Sequence, residues 1–386
     1  MSTENPLGVA LGAPPVPSRP PALGAAGHHQ IDHQTTGTCG WQAVTGRDWF
    51  DYGATLAARG AAGQAVDAFD RALALDPDNP EIRWRRGLAR LAIGDYAGGW
   101  ADAEARRLIP GFPLDLRPEP LWQGEMLAGR TLLIQAEQGL ADTLQFVRYV
   151  RGLAEHAEGR VVLAAQAEVL PVVESAVGAD AVVMLGQDPV ECDCWVPLLS
   201  LPGILGPAPL AMPAYLDANP VRIATWGKRL ARISRPRIGI AWRDGDRDND
   251  FVSYEHVARL AATTGIKLVA LPADDIRLDL GGIMGSRIVD LGADLGADGT
   301  LADLAAVVAG LDLVIAPDGV LAHLAGALGT AVWTVLPAAP GWRWERSGMT
   351  TPWYPSMRLF RPAPDRGADA VFARIAAAIA ARSTVG

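Results

Sequence analysis

The sequence predicts an α/β protein with a short all-α region in front of it. From residue 131 onward, apolar runs of strand length alternate with helical patterns, which is typical of parallel sheets covered by helices. Residues 44–110 show helical patterns only, and these patterns repeat. The clearest unit is residues 311–336: an apolar run, a turn at Pro317-Asp318-Gly319, a helical pattern ending at Gly329, and a second apolar run.

Residues 1–43 are rich in Pro, Gly, Ala, Ser and Thr and show no hydrophobic period. A segment of this composition buries too little apolar surface to offset the entropy that ordering would cost. We therefore predict that it is a disordered tail.

Residues 44–110 contain an internal repeat. Gly53 recurs at Gly87 and Gly60 recurs at Gly94, in each case 34 positions later. This period, with small residues where paired helices approach closely, is typical of tetratricopeptide units. Because a pair of units leaves an apolar face uncovered, two roles stay open. The region is either a support that packs on the next domain or a groove for a protein partner.

The rest of the chain is predicted to form two α/β domains, residues 111–234 and 235–365, followed by a C-terminal helix in 366–386. Toward the end of the first domain, a linker rich in Pro and Gly near residues 202–213 is followed by a predicted helix in 220–233, before the second domain opens at Arg237. The predicted strands are 131–135, 161–163, 181–184, 237–242, 267–271, 313–315 and 332–336.

Composition narrows the range of functions. The net charge is −9 and no basic cluster is present, which argues against nucleic acid as a partner. No apolar run reaches the roughly 18 residues of a transmembrane helix, and the N-terminus lacks a signal-peptide pattern. The odd count of 3 cysteines suits a reducing cytoplasm, where we expect the protein. Cys192-Asp193-Cys194 has no second pair of ligands, so no metal site is predicted.

The turn at Asp318 is the strongest candidate for a binding site. It places the N-terminus of a helix at the carboxyl edge of a parallel sheet, where open α/β sheets bind anions. The alternative is a connection that only turns the chain. His323, one helical turn further on, either faces the same crevice or has a structural role.

Six segments carry recognisable motifs: 138–146, 195–202, 237–242, 311–336, 342–344 and 352–355. Together they resemble the glycosyltransferase family 9-like (heptosyltransferase-like) module of bacterial proteins that also carry tetratricopeptide repeats. The resemblance implies a GT-B-like pair of doubly wound parallel-sheet domains. The first would bind the acceptor and the second the nucleotide-sugar donor.

The resemblance implies an inverting, metal-independent transfer of sugar from a nucleotide-sugar to a protein or glycan acceptor, with no other cofactor. Asp142 matches the aspartate of a Gly-Asp turn that heptosyltransferases are thought to use as general base; the alternative is a helix cap. Gln138, Gly139 and Gln145 match the loop and helix on the acceptor side.

The donor side would be formed by residues of the second domain. The resemblance assigns the diphosphate to the backbone of Gly319, Val320 and Leu321, with Asp318 anchoring the turn and His323 beside it. Many relatives carry an Arg-Ser pair where this chain has Phe251-Val252-Ser253. Arg243 or Arg247 is the candidate substitute, although the aspartates of the same loop repel a diphosphate.

Three departures from the family pattern support a second hypothesis. Ala141 replaces a usual Gly, Phe251 stands in place of an Arg, and Gly319 replaces a usual Thr or Ser. They are compatible with a catalytically silent GT-B-like scaffold that binds partners through its helical repeats. The aromatic segment around Trp342, Trp344 and Trp353, with Arg343 between the first two, either stacks on a ligand or packs the C-terminal part across both domains. Packing is the interpretation that we favour.

Overall fold

The computed structural model describes residues 45–112, 114–174, 178–187, 190–242, 253–264, 266–271, 287–291, 295, 300–363 and 367–383. The predicted tail 1–43, Arg243, Arg247 and Phe251 lie outside the described residues. The chain divides into two compact units, Met1–Ile109 and Pro110–Gly386. No helix in the described ranges is both long and apolar enough to cross a membrane.

The first unit is all-α. Its first helix begins with a capping box: the Asp48 carboxylate accepts a hydrogen bond from the backbone N–H of Thr45 at 2.7 Å, and the Thr45 side chain accepts one from Asp48 N at 3.2 Å. Asn79 caps the third helix in a similar way, with Pro80 as its first residue. The elements are α1 Gly46–Ala58, α2 Ala62–Leu75, α3 Pro80–Ala92, α4 Tyr96–Ala103 and a 3₁₀ helix Glu104–Leu108.

Two of the repeated glycines, Gly53 and Gly87, lie at close contacts between paired helices. A Cβ added at Gly53 would lie 2.7 Å from the ring of Phe69, which is fully buried. A Cβ added at Gly87 would lie 2.8 Å from the backbone nitrogen of Ala103 and 2.9 Å from the carbonyl oxygen of Gly99. The other two, Gly60 and Gly94, have positive φ angles of 74° and 84° in the turns that follow α1 and α3.

We expect Gly87→Ala to destabilise the helical unit by about 1–3 kcal/mol, because a methyl group at this position forces α3 and α4 apart. Gly63→Ala is the matched control: it lies in α2, and an added Cβ there meets no atom of the described residues within 4 Å. The control is expected to stabilise by at most about 1 kcal/mol. Hydrogen exchange of peptides from α3 and α4 in the full chain measures both changes. Equal protection in the two variants would contradict the prediction.

The second unit begins with a parallel sheet. In the described residues its strand order is β3-β2-β1-β4, and each neighbouring pair is parallel. The interior strand β1 is buried from its second residue onward, as expected for a sheet with both faces covered. The strands are β1 Thr131–Gln135, β2 Arg160–Ala165, β3 Ala181–Met184 and β4 Cys194–Pro197; the helices are α5 Leu140–Phe146, α6 Arg148–His156, α7 Leu170–Val173, α8 Leu201–Leu205 and α9 Pro220–Leu230.

A second parallel sheet follows in the same unit. In the described residues its order is β10-β9-β8-β5-β6-β7, the doubly wound order of dinucleotide-binding domains. The predicted fold class is confirmed: a helical region comes first in the chain, and a pair of doubly wound parallel sheets follows it. The elements are β5 Ile238–Ile240, α10 Tyr254–Thr264, β6 Leu268–Ala270, β7 Ile288–Asp290, α11 Leu301–Ala309, β8 Leu313–Pro317, α12 Val320–Ala327, β9 Val332–Val335, β10 Met357–Phe360 and α13 Ala368–Ser383.

Both sheets have a topological switch point next to their first strand. In the first sheet β1 lies between β2 and β4, and in the second β5 lies between β6 and β8. Connections leave such a point toward opposite faces of the sheet and open a crevice at the carboxyl ends of the strands. The turn after β1 carries Gln138 and Gly139, and the turn after β8 carries Asp318 and Gly319. The candidate residues thus lie at the two switch points.

The linker between the two sheets is attached to the C-terminal end of α12. The backbone N–H groups of Tyr215 and Leu216 both donate to the carbonyl oxygen of Ala327, at 2.9 and 3.1 Å. Gly329 ends the helix with φ 74°, and a Cβ there would lie 2.8 Å from the carbonyl oxygen of Pro213. A glycine is required here by both the backbone angle and the contact with the linker.

Candidate functional site

The donor-side turn has the geometry that the sequence predicts. The buried strand β8 ends at Pro317, and Gly319 is the N-cap residue of α12 with an extended backbone. Asp318, Gly319 and Val320 are half-buried, whereas Leu321 is buried. Amide N–H groups in the first turn of a helix have no acceptor within the helix, and the helix dipole adds partial positive charge there. The turn is therefore electrostatically suited to an anion.

His323 lies one turn into α12 and is 1% exposed. Its Nδ1 is 2.7 Å from the hydroxyl of Tyr354, and its Nε2 is 3.8 Å from Oδ1 of Asp318. The ring of Trp344 stacks on the imidazole at a centroid distance of 5.2 Å. Burial lowers the pKa of His323 well below its ordinary value, and the nearby charge of Arg343 lowers it further. The histidine is therefore neutral, and it connects the turn to the aromatic segment.

The acceptor-side turn follows β1. Gln138 has a positive φ of 60°, and both Gln138 and Gly139 are exposed. Gly139 is the N-cap of α5, and its backbone N–H donates to Oδ2 of Asp142 at 3.3 Å. Asp142 is thus the third residue of the helix and caps its first turn from inside. The helix-cap role considered for Asp142 therefore accounts for one of its two carboxylate oxygens, Oδ2.

The other carboxylate oxygen of Asp142, Oδ1, contacts the part of the second unit that contains the second sheet. Oδ1 forms an ion pair with the Nη2 of Arg343, whose Nε donates to Oε1 of Gln145 at 2.6 Å. Gln145 is fully buried, and the side chains of Asp142 and Arg343 are only 13% and 18% exposed. Arg343 therefore binds two of the predicted acceptor-side residues at once.

Arg343 belongs to a 3₁₀ turn, Trp342–Trp344, next to the donor-side turn. A Cβ added at the preceding Gly341 would lie 3.8 Å from Oδ2 of Asp318. The guanidinium lies 4.5 Å from the ring centroid of Trp342, which supports its position. Sequence reasoning assigned this segment to packing and did not predict Arg343 as a site residue. The only local signal was a basic residue between two tryptophans.

A second arginine, Arg148 at the start of α6, holds the region together. It is 1% exposed, and its Nη1 donates to the carbonyl oxygens of Leu210 and Trp353 at 2.8 and 2.6 Å. Its Nη2 donates to the hydroxyl of Tyr215 at 3.0 Å, and its Nε to the carbonyl oxygen of Gln145 at 2.7 Å. The guanidinium therefore connects the first sheet's helices, the linker and the C-terminal aromatic segment. The packing role predicted for that segment matches these contacts.

The structure thus brings Asp142 and Gln145 together with Arg343, near Asp318. Gln138 and Gly139 are exposed on the same turn as Asp142, and Arg243 lies outside the described residues. A separate cavity of about 570 Å³ is lined by residues 122, 124–127 and 205–210 and by part of α6, and it contains none of the predicted site residues. Among the described residues, no group of three or more His, Cys, Asp or Glu side chains is arranged to hold a metal ion.

Comparison with known proteins gives a family match within the helical region and a curated relative that spans most of the chain. The tetratricopeptide repeat model matches residues 53–94, which confirms the interpretation of the internal repeat. Protein FlbA of Caulobacter vibrioides is 26% identical to this chain over 381 residues; the match covers 81% of this chain and 63% of FlbA. The chain thus spans less than two thirds of the length of this curated relative.

Two solved structures are similar to the α/β part. The glycosyl transferase family 9 protein from Veillonella parvula has a TM-score of 0.47 and 10% identity, covering 62% of this chain and 88% of its own. The ADP-heptose LPS heptosyltransferase II of E. coli has a TM-score of 0.47 and 12% identity, covering 66% of this chain and 99% of its own. They bear the family and heptosyltransferase names that the sequence resemblance implies. At identities of 10% and 12%, this similarity does not define the function of the chain.

Proposed function

We propose that this protein is a glycosyltransferase that moves a sugar from a nucleotide-sugar to a protein or glycan acceptor, inverting the anomeric centre and using no metal ion. One observation carries the proposal. A carboxylate at the switch point of the first sheet, Asp142, lies against a cation, Arg343, that is adjacent to the helix N-terminus at the switch point of the second sheet. Transfer from a nucleotide-sugar needs these three groups: a base, a cation and an anion cradle.

In the proposed reaction Asp142 takes the proton from an acceptor hydroxyl. The hydroxyl oxygen attacks the anomeric carbon from the face opposite the diphosphate, and the bond between that carbon and the diphosphate oxygen breaks. The amides that begin α12, Gly319 to Leu321, and the guanidinium of Arg343 stabilise the negative charge of the leaving diphosphate. The neutral His323, hydrogen-bonded to the hydroxyl of Tyr354 at 2.7 Å, fixes the first turns of α12 against the aromatic segment. The thiols of Cys192 and Cys194, both free, are compatible with a cytoplasmic enzyme.

Binding of a nucleoside diphosphate tests the donor half of the proposal. We expect Gly319→Val to weaken the binding of ADP, UDP or GDP by at least about tenfold, because a branched side chain at the N-cap covers the amides that hold the diphosphate. The fold should be unchanged, since φ 165° at this position is extended backbone that a side chain tolerates. Isothermal titration of the full chain measures the affinity. Gly227→Val is the control, because an added Cβ at Gly227 on α9 meets no described atom within 4 Å.

The other candidate function is a silent scaffold whose helical repeats bind a protein partner. The observation that favours it is that Asp142 uses both carboxylate oxygens in internal contacts, one with Arg343 and one with the N–H of Gly139. If none of the three nucleoside diphosphates raises the melting temperature of the wild-type protein, the scaffold becomes the better explanation. A ligand at about 100 times its Kd would add about 2.7 kcal/mol to the free energy of unfolding.

A further inference from the structure

We infer that Arg343 exchanges partners during the reaction cycle. In the free protein it binds Asp142 and Gln145; when the donor is present it binds the diphosphate and releases Asp142 to act as base. The inference rests on the proposed transferase function and deepens it, because it makes the availability of the base depend on the donor. The site would then bind the nucleotide-sugar before it activates the acceptor.

The first step is that the base is occupied. Oδ1 of Asp142 is in an ion pair with Arg343, and Oδ2 accepts the N–H of Gly139. The guanidinium occupies one lone pair of Oδ1 and neutralises the charge of the carboxylate, so it competes with an incoming hydroxyl for Asp142. The arrangement in the structure is therefore a resting state, and catalysis requires Arg343 to move.

The second step is that Arg343 has an alternative partner within reach. Its turn lies beside Asp318, through Gly341, and thus next to the N-terminus of α12, where the donor diphosphate is proposed to bind. A diphosphate carries more negative charge than one carboxylate and offers paired oxygens that match the two-pronged guanidinium. The diphosphate is the stronger partner.

The third step is an excess of buried donors at the same place. The Nε2 of Gln145 and the Nε1 of Trp344 have no hydrogen-bond acceptor among the described residues, although both side chains are fully buried. Gln145 is the residue whose Oε1 binds Arg343, and Trp344 stacks on His323. A buried N–H group without an acceptor lowers the free energy of unfolding, and both of these groups lack an acceptor. An anion supplies acceptors, so this part of the site is built for negative charge that Asp142 alone does not provide.

A double-mutant cycle tests the exchange by titrating the full-length protein with a nucleoside diphosphate. Asp142→Asn removes the competing charge and is expected to tighten binding by roughly threefold or more. Arg343→Gln removes the exchanged cation and should weaken binding by roughly tenfold. In the double variant the affinity should equal that of Arg343→Gln alone, because Asp142 acts only through Arg343. Glu155→Gln, at an exposed position on α6, controls for a general effect of charge.

The outcomes separate this inference from the proposed function. If Gly319→Val abolishes binding but Asp142→Asn leaves the affinity unchanged, the donor site stands and the exchange is wrong. Additive effects of Asp142→Asn and Arg343→Gln would also overturn it. Absence of nucleoside diphosphate binding by the wild type would overturn both. If Arg343→Gln misfolds, Arg343→Lys replaces it. Lysine keeps the charge but loses the paired geometry of the guanidinium. Its binding of the nucleoside diphosphate should therefore be weakened by less than the roughly tenfold expected for glutamine.

Discussion

Asp142→Asn is expected to lower the turnover of sugar transfer by about 10²-fold or more, the range typical for loss of a general base. Asparagine keeps the size of the side chain and can still accept the hydrogen bond from the N–H of Gly139, so the first turn of α5 should persist. The free energy of unfolding should change by less than about 1 kcal/mol. Turnover is measured as release of nucleoside diphosphate at saturating donor and acceptor, and stability by urea unfolding of the same preparations.

Asp48→Asn provides the matched control for Asp142→Asn. Asp48 is also the third residue of its helix, α1, and also accepts the N–H of the N-cap residue, Thr45, at 2.7 Å. Its substitution removes a comparable cap without touching the candidate site, so turnover should stay at the wild-type value. A variant at position 142 that turns over normally but melts early would make Asp142 a structural cap and nothing more. The scaffold hypothesis would then gain the advantage.

Arg148→Leu is expected to destabilise the second unit by about 3–5 kcal/mol. The substitution removes the donor from two buried carbonyl oxygens, those of Gln145 and Trp353, and the loss of each costs roughly 1–3 kcal/mol. The hydroxyl of Tyr215 also loses one hydrogen bond but keeps its bond to the carbonyl oxygen of Leu144. It also removes a guanidinium 4.6 Å from the ring centroid of Tyr215 and 4.5 Å from that of Tyr354.

Urea unfolding of the full chain measures the effect of Arg148→Leu, with hydrogen exchange of peptides that contain Trp353 as the local probe. Arg151→Leu is the control: Arg151 lies on the same helix, and its side chain is 51% exposed. Loss of its contact with Glu155 should change stability by no more than about 0.5 kcal/mol. If the two substitutions destabilise equally, the hydrogen bonds of Arg148 carry no special share of the stability.

The sequence predicts the fold well wherever local periodicity reports burial. The unit of β8, α12 and β9 follows from two apolar runs around a helical pattern, and its end at Gly329 follows from the positive φ that glycine favours. The strands β7 and β10 were not predicted, and the position of β4 was covered only by the family resemblance of residues 195–202. Each is an edge strand of three or four residues, too short to show alternation. Helices α5 and α6 meet at Val147, and no glycine or proline in the sequence marks that boundary.

The site is predictable only in part, because its partners are distant in the chain. Asp142 and Asp318 stand in turns with recognisable local patterns, so the sequence identifies both. Arg343 and Gln145 are 198 positions apart, and Arg148 and Trp353 are 205 positions apart. Apart from the two tryptophans that flank Arg343, nothing local distinguishes these arginines from the others in the chain. Their roles follow from the tertiary packing that places α5 against α12.

The attachment of the linker to Ala327 makes the C-terminal end of α12 a pivot. Tyr215 and Leu216 hold that end, and Asp318 lies just before the other end of the helix. The helix has 8 residues, so the two ends are about 12 Å apart. A tilt of roughly 10° about the held end would move the Asp318 end by about 2 Å. Such a tilt would shift the donor-side turn relative to Asp142 on α5 while the linker stayed attached.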